Sequence, residues 1–327
     1  MNVRLSTHVA PLLLVLCTGA AQAGYVFQNI VDPANPGFTQ VLGINNTGTV
    51  VGYGNASAFN GFSATAPYGG AQFTRQDFPG SAATQVAGIS GAGDSAGFWI
   101  AADGGNHGFV RNGVGTYSTV DSPGTFFNQL LGINNGGTRA VGYSSNDATG
   151  ATLQRAMFVS GGTFSLFTYI DSLLPSNINS QATGVNDAGT VVGFFEDASG
   201  VFEGFMDIGG VASTIDAPGA KSTQLLGIND LGQMVGDYID AGGVMHAFID
   251  TAGIFTTIDP VGSAAAAVNG INDFGQVVGF YTDAQGLTLG FIGQQQAQVP
   301  EPGAFALTGL ALAALAATRR RGLPKKA

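Results

Sequence analysis

Glutamate is scarce in this chain, so each glutamate is a candidate for chemistry. Only Glu196, Glu203 and Glu301 occur among the 327 residues. Glu196 with Asp197, or Glu203 with Asp207, could act as the paired carboxylates of a glycosidase. Glu196 and Asp197 are adjacent, however, and adjacent residues of a strand point to opposite faces. We therefore favour solvated loop acids over a catalytic pair.

Other catalytic groups are equally sparse. Cys17 is the only thiol, and only His107 and His246 lie beyond the first 23 residues, far apart in sequence. No H-E-x-x-H motif or phosphate-binding loop occurs. The sequence therefore predicts a protein that is not an enzyme, with no catalytic, cofactor-binding or metal-ligating residues to assign.

An F-x-x-I-D pattern recurs six times, and the aspartates that end it could bind calcium. The simpler interpretation is that each accepts backbone N–H groups within its own turn. No D-x-D-x-D-G loop is present, so weak structural calcium stays open as the only cofactor expectation. The six are Asp32, Asp77, Asp121, Asp171, Asp216 and Asp259.

Trp99, the single tryptophan, could stack on a sugar ring. Packing on a sheet face is the favoured alternative. Together with Glu196 and Glu203, Trp99 is the speculative ligand-binding set, and their convergence on one concave face would favour a polysaccharide-active enzyme.

The elements that position these residues are repeats of one hairpin. The stretch GINNTGTVVGY, which begins at Gly43, returns in five variants whose leading glycines are spaced 43 to 52 residues apart. Two apolar, β-branched runs flank an Asn/Asp-rich turn that ends in glycine, which predicts a β-hairpin. The third copy has one extra residue, which we interpret as a bulge. The leading glycines are Gly43, Gly88, Gly132, Gly184, Gly227 and Gly270.

Each repeat also contains an F-x-x-I-D piece and a short Gly-Phe or Ala-Phe piece, such as Gly61-Phe62 and, in the third copy, Met157-Phe158. Four short strands in about 43 residues are typical of a propeller blade. We therefore predict an all-β fold: a six-bladed β-propeller of four-stranded repeats over residues 24–293. The first strand, Phe27 to Asp32, should complete the last blade beside Phe291. A β-solenoid is the alternative.

Two features of the sequence suggest where ligands could bind to this fold. The fourth copy carries extra residues in 146–154 and 173–180, and such insertions are surface loops where binding often occurs. Glutamines precede the leading glycine by three residues in five copies and could line a central channel: Gln40, Gln85, Gln129, Gln181 and Gln224.

Charge excludes one class of partner. Of the 21 acidic residues only Glu301 lies outside residues 24–298, where the only basic residues are Arg75, Arg111, Arg139, Arg155 and Lys221. Such a surface repels nucleic acid.

The N-terminal residues 1–23 have the three parts of a secretory signal peptide. Arg4 provides the positive charge, an apolar run follows, and Ala21 and Ala23 form an A-x-A cleavage site before Gly24. We expect Cys17 to be removed with it, so that the mature protein has no thiol and no disulfide.

The C-terminal end has a second tripartite pattern. A polar linker over 294–298 precedes an apolar run and a basic cluster, which would leave the body outside the inner membrane. This segment, 299–327, closely resembles the PEP-CTERM sorting signal of Gram-negative, exopolysaccharide-producing bacteria. The resemblance implies a hydrophobic sorting helix, transient membrane anchoring and cleavage by an exosortase-type membrane protease. The residues that carry it are Val299, Pro300, Glu301, Pro302, Arg319, Arg320 and Arg321.

The body also resembles the extracellular repeat family named for His-Ala-Phe, which occurs here as His246-Ala247-Phe248. That resemblance implies no particular residue role. Our prediction is a secreted cell-surface or extracellular-matrix protein that acts by binding or as a structural component, with extracellular polysaccharide as its setting and possible partner. The alternative is a polysaccharide-active hydrolase or lyase with its site in the fourth-repeat loops.

Overall fold

The predicted hairpins form as their turn residues dictate. In the first repeat Asn45 Oδ1 accepts the backbone N–H groups of Thr47 and Thr49. Gly48 closes the turn at a φ of 79°, a conformation that is strained for most other residues. The flanking strands then pair in antiparallel register, with Ile44 opposite Val50.

The computed structural model describes residues 24–55, 57–152, 154–161, 163–166 and 179–296. The predicted signal peptide and the predicted sorting segment lie outside these residues. The compact unit Tyr25–Gln295 is all-β. Its one described helix is a single 3₁₀ turn, Gly70–Gln72.

Four strands make up each repeat, numbered here along the chain, and repeats are numbered one to six. The first strands are β2 Thr39–Ile44, β6 Ala83–Ile89, β10 Phe127–Ile133, β14 Ser180–Val185, β18 Ser222–Ile228 and β22 Ser263–Ile271. The second strands are β3 Val50–Gly54, β7 Ser95–Ile100, β11 Arg139–Ser145, β15 Val191–Glu196, β19 Met234–Ile239 and β23 Val277–Asp283.

The outer half of each repeat is shorter. The third strands are β4 Asn60–Ala64, β8 Asn106–Arg111, β12 Arg155–Ser160, β16 Phe202–Ile208, β20 Met245–Thr251 and β24 Thr288–Gln295. The fourth strands are β5 Phe73–Arg75, β9 Tyr117–Thr119, β13 Thr163–Leu166, β17 Val211–Thr214, β21 Ile254–Thr257 and, for the sixth repeat, β1 Tyr25–Ile30. Strand β24 extends two residues into the predicted linker, because Gln295 pairs with Tyr25.

The arrangement is propeller-like, but the prediction of six separate blades is wrong. Four sheets have four strands each, whereas the second and third repeats share one eight-stranded sheet. Phe127 of β10 pairs in parallel with Asn106 of β8 and joins the two. At the preceding junction the corresponding contact is a lone hydrogen bond from Thr84 N to Phe59 O, 2.8 Å long. The junction of the sixth and first repeats has a similar parallel pairing, between Phe38 and Thr288, but Phe38 lies outside the strands of the first repeat. A single residue pair therefore decides whether two neighbouring repeats form one sheet.

The prediction that the first strand completes the last repeat is confirmed. Strand β1 pairs with β24 from Tyr25 to Ile30, and the rings of Phe27 and Phe291 meet edge to face at 5.2 Å. The first strand of the chain thus completes the sheet of the sixth repeat, which excludes an open solenoid and covers the edge of β24.

The apolar core lies between neighbouring sheets. One large side chain from each third strand is fully buried there: Phe62, Phe109, Met157, Phe205, Phe248 and Phe291. In the third repeat this position is Met157, opposite Gly142. In the third repeat the equivalent of the Gly-Phe pair is therefore Ala156-Met157, one residue earlier than the predicted Met157-Phe158.

The predicted bulge of the third copy is also wrong in its location. A register shift occurs in the first strand of all six repeats, for example between Val41 and Gly43. The extra residue of the third copy lengthens the turn instead, since Asn134 N donates to Arg139 O across it. In the first copy the same bond spans only Asn45 to Thr49.

Candidate functional site

The six first strands surround a channel with a closed throat. Each contributes three consecutive residues to this throat, Leu42–Gly43–Ile44 in the first repeat and its equivalents in the others. Backbones approach so closely that a Cβ on Gly132 would lie 2.5 Å from the carbonyl oxygen of Thr183. Glycine is required there, and the throat separates two mouths.

The wider mouth encloses a cavity of about 310 Å³ lined by all six repeats. This is at the small end of the range for small-molecule sites. Four of the five predicted glutamines line it, as expected for a channel-facing row: Gln40, Gln85, Gln181 and Gln224. In the sixth repeat Ala267 occupies the glutamine position, opposite Phe280.

Asp237 is the most unusual residue of this cavity. It lies opposite Gln224 at a position that the other repeats fill with an aromatic ring. Only 4% of Asp237 is exposed, and no group among the described residues donates a hydrogen bond to its carboxylate. Burial raises its pKa to about 7. The equivalent aromatic residues are Tyr53, Phe98, Tyr143, Phe194 and Phe280.

Asn269 adds a second free acceptor to the same cavity. Its Oδ1 is buried and has no hydrogen-bond partner. The residue lies on β22, in the repeat that follows the one containing Asp237. The corresponding position is Leu42 in the first repeat and Leu226 in the fifth. Asp237 and Asn269 therefore both interrupt the repeat at one end of the channel.

Sequence reasoning missed Asp237, although a signal was present. The motif of the fifth repeat reads GINDLGQMVGDY, where other copies have Tyr or Phe directly after the last glycine. Comparing this single position across the copies would have identified the acid. Its burial, which makes it chemically unusual, becomes evident only when the inner strands are assembled around the channel.

Trp99 lies outside this cavity. Phe78 stacks on it at 4.3 Å between ring centroids, and the His107 imidazole stacks on it at 4.6 Å. Its Nε1 is buried without a hydrogen-bond partner. Two ring partners leave little of the indole for a sugar.

The structure does not bring Trp99, Glu196 and Glu203 together on one element. Trp99 belongs to the second repeat and both glutamates to the fourth. Glu196 Oε2 accepts a hydrogen bond from Asn179 Nδ2 at 2.9 Å, and Asp197 accepts the N–H groups of its own turn. Glu203 and Asp207 are separated by four residues of one strand, which is about 13 Å and too far for a glycosidase pair.

Glu203 does have acidic neighbours of another kind. Its pKa is raised by burial and by the charges of Asp216 and Asp197. Glu203 occupies the position that His246 occupies in the fifth repeat, where His246 Nδ1 lies 2.7 Å from Asp259 Oδ2. The fourth repeat therefore places a carboxyl group where the fifth places an imidazole.

The F-x-x-I-D aspartates brace the outer strands. In four of the five described aspartates, one carboxylate oxygen accepts a backbone N–H of the third strand, as Asp259 Oδ1 does from Ala247 at 2.7 Å. The same bond occurs for Asp77, Asp121 and Asp216. These bonds reach a neighbouring strand, whereas the prediction placed them within the aspartate's own turn. Asp171 lies outside the described residues.

Asp32 differs from the others, since it bonds Arg75 Nη2 at 2.7 Å. Within the described ranges, no group of three or more His, Cys, Asp or Glu side chains is arranged to hold a metal ion. The expectation of weak structural calcium is not tested by this and stays a prediction.

The narrow mouth carries a ladder of polar turn residues. Asp187 N donates to Asp230 Oδ1 at 2.7 Å, and Asp230 N donates to Asp273 Oδ1 at 2.9 Å. Asp273 N in turn donates to Asn46 Oδ1. Each of these acids is therefore hydrogen-bonded to a neighbouring repeat.

Among the helices of the described residues, none is long and apolar enough to cross a membrane.

Comparisons with solved structures find matches at low similarity. TolB from Acinetobacter baumannii is 12% identical with a TM-score of 0.49, covering 82% of this chain and 67% of TolB. The Aleuria aurantia lectin is 8% identical with a TM-score of 0.46, covering 81% and 97%. A puromycin hydrolase is 10% identical with a TM-score of 0.46, covering 76% and 42%. Similarity at this level carries no inference about function.

A search of curated proteins finds no match. Residues 298–321 match the PEP-CTERM protein-sorting motif. The match includes the predicted sorting residues, whose structure lies outside the described ranges, and it does not cover the repeats. The likeness to His-Ala-Phe repeats therefore stays a prediction. The motif supports export to the cell surface or extracellular space and implies processing by an exosortase, which is a membrane protein.

Proposed function

We propose that this chain is an exosortase-sorted protein of the cell surface or extracellular matrix that acts by binding, with extracellular polysaccharide as its setting. The binding site is the cavity at the wide mouth of the channel. The supporting observation is Asp237, a buried carboxylate without a partner at a position where the other five repeats carry an aromatic ring. An unpaired buried carboxylate is costly for folding, so its presence favours a role in binding.

Two further features support a small polar ligand. Four glutamine side chains offer both donors and acceptors around the cavity, and Leu226, Phe194 and Phe280 supply apolar surface. Mixed amide and apolar walls suit sugar rings, which have polar edges and apolar faces.

The test is a glycan-array screen of the purified full chain, with and without calcium. The matched variants are Asp237→Phe, which introduces the ring type of the other repeats, and Asp250→Asn, which changes a buried acid outside the cavity. We expect Asp237→Phe to lose binding and Asp250→Asn to keep it. Glycan binding that survives Asp237→Phe would place the site elsewhere, and no glycan binding at all would favour a purely structural matrix protein.

A polysaccharide-active hydrolase or lyase is the second candidate, and the raised pKa of Glu203 beside Asp216 favours it. A raised pKa is a property that a general-acid carboxyl group needs. Release of reducing ends from a bound polysaccharide, abolished in Glu203→Gln and retained in Asp237→Phe, would support the enzyme. Absence of turnover by the unmodified chain on every glycan that it binds would exclude it.

A further inference from the structure

Two side chains of the fifth and sixth repeats bring acceptor oxygens without a hydrogen-bond partner to the wide-mouth cavity, beside glutamine amides that offer both donors and acceptors. Asp237 contributes two carboxylate oxygens, and the buried Oδ1 of Asn269 has no partner. The Thr183 hydroxyl is already used, since its Oγ1 lies 2.8 Å from the carbonyl oxygen of Leu225. A ligand that satisfies this cavity must therefore donate hydrogen bonds towards the side formed by the fifth and sixth repeats.

Charge narrows the ligand class further. Asp237 is the only ionisable side chain among the described residues that line the cavity. Burial is the sole cause of its shifted pKa, so no neighbouring charge compensates it. A neutral hydroxyl would leave a buried negative charge, whereas an ammonium group would neutralise it and donate three hydrogen bonds. Anionic ligands are disfavoured for the same reason.

Asp237 and Asn269 line the same cavity from adjacent repeats. Strand β19 of the fifth repeat carries Asp237, and strand β22 of the sixth repeat carries Asn269. Gln181 and Gln40 belong to the repeats on either side of this pair, and Gln85 belongs to the second repeat. The cavity of about 310 Å³ thus holds one carboxylate among several amides, which suits a small molecule with one amine and several hydroxyls.

We propose, resting on the function proposed above, that this cavity selects a small polyhydroxylated ligand with a protonated primary amine, an amino sugar, whose ammonium group pairs with Asp237 and Asn269. The ligand enters from the wide mouth, because the throat glycines leave room for little more than water. The selectivity for an amine depends on Asp237 and Asn269, the two residues at which the fifth and sixth repeats differ from the repeat pattern.

Calorimetric titration of the full chain with glucosamine, glucose and N-acetylglucosamine at pH 7.5 tests this inference. We expect glucosamine to bind at least about tenfold more tightly than either neutral sugar, since one charge-assisted bond is worth roughly that factor. Asp237→Asn should remove the preference while preserving shape. Asn269→Leu, which introduces the residue of Leu42 and Leu226, should weaken glucosamine binding several-fold.

The outcomes separate this inference from the proposed function. Equal binding of glucose and glucosamine would overturn amine selectivity and leave a sugar-binding cavity. A preference that persists in Asp237→Asn would overturn the assignment of the carboxylate. Failure of all three sugars together with a positive glycan array would place recognition outside the cavity, and failure of both experiments would overturn both proposals.

Discussion

Asn272 Nδ2 donates a hydrogen bond to the backbone carbonyl of Asn45, 227 residues earlier in the chain, at 3.1 Å. The same amide donates at 2.8 Å to Gln276 Oε1, and its Oδ1 accepts the N–H groups of Phe274 and Gln276. One side chain therefore shapes its own turn and joins the last repeat to the first. Asn229 does the same towards Asn272 O, and Asn186 towards Asn229 O.

The two roles of Asn272 can be separated by substitution. Asn272→Asp keeps an acceptor for the turn and loses the donor to Asn45, so we expect a loss of about 1–3 kcal/mol in the free energy of unfolding at neutral pH. Asn112→Asp is the control, because Asn112 Oδ1 caps an exposed turn within one repeat and its amide group joins no other repeat. Urea denaturation measures both. Equal, small losses would show that the inter-repeat bond is unimportant.

The throat glycines should tolerate no side chain. Gly132→Ala would place its Cβ 2.5 Å from Thr183 O, so we expect a loss of roughly 1–3 kcal/mol or more from overpacking. Gly37→Ala is the matched control, since a Cβ there has no neighbour within 4 Å. Its expected effect is neutral or slightly stabilising. Thermal unfolding of the two variants gives the comparison, and comparable melting temperatures would contradict the close packing of neighbouring inner strands.

Asp237 predicts an unusual dependence of stability on pH. Its pKa in the folded protein is about 7, above the unfolded value, so the protonated form favours folding. The contribution of Asp237 to the free energy of unfolding is fully present below about pH 4 and is lost progressively as pH rises to about 7. Asp237→Asn removes this loss. The variant should therefore match the parent near pH 4 and exceed it by up to about 4 kcal/mol at pH 8.

Chemical denaturation at both pH values measures the difference. Asp250→Asn is the comparison variant. Burial also raises the pKa of Asp250, but the backbone N–H groups of Gly253 and Ile254 oppose this rise, so its pH-dependent gain in stability should be smaller. A constant difference between Asp237→Asn and the parent from pH 4 to pH 8 would show that Asp237 titrates normally.

His246 should titrate above the usual histidine range. The hydrogen bond to Asp259 is the main cause of its raised pKa, with smaller contributions from the charge of Asp259 and from Asp240, whose Oδ2 lies 3.4 Å from Nε2. The resulting stability is fully present below the unfolded pKa of about 6.5 and is lost as pH rises through the folded pKa.

NMR titration of the imidazole protons tests this assignment. Asp259→Asn should lower the pKa of His246 more than Asp240→Asn does. The reverse order would show that Asp240 is the dominant partner.

Local patterns predicted much of the fold. Each Asn/Asp-x-Gly turn specifies a hairpin through contacts within five residues, so the hairpins and the all-β class could be deduced from residues such as Asn45 and Gly48. The position of β1 beside β24 also followed, since the chain begins on the strand type that its last repeat lacks.

Contacts between repeats were beyond reach of the sequence. The Asn/Asp-rich pattern predicts a turn at Asn272 but not its bond to Asn45. The eight-stranded sheet depends on one backbone pairing at Phe127. The buried position of the third strand in the third repeat is Met157, one residue earlier than the predicted phenylalanine. Each of these features is decided by a neighbouring repeat about 40 residues away.

The sequence by itself determined the hairpin repeats, the acidic surface and the PEP-CTERM motif, because these depend on residue types and short spacings. Only the tertiary structure decided that Asp237 is buried without a partner and that Trp99 is covered by Phe78 and His107. Burial depends on which residues of distant repeats meet around the channel, and no local pattern encodes that.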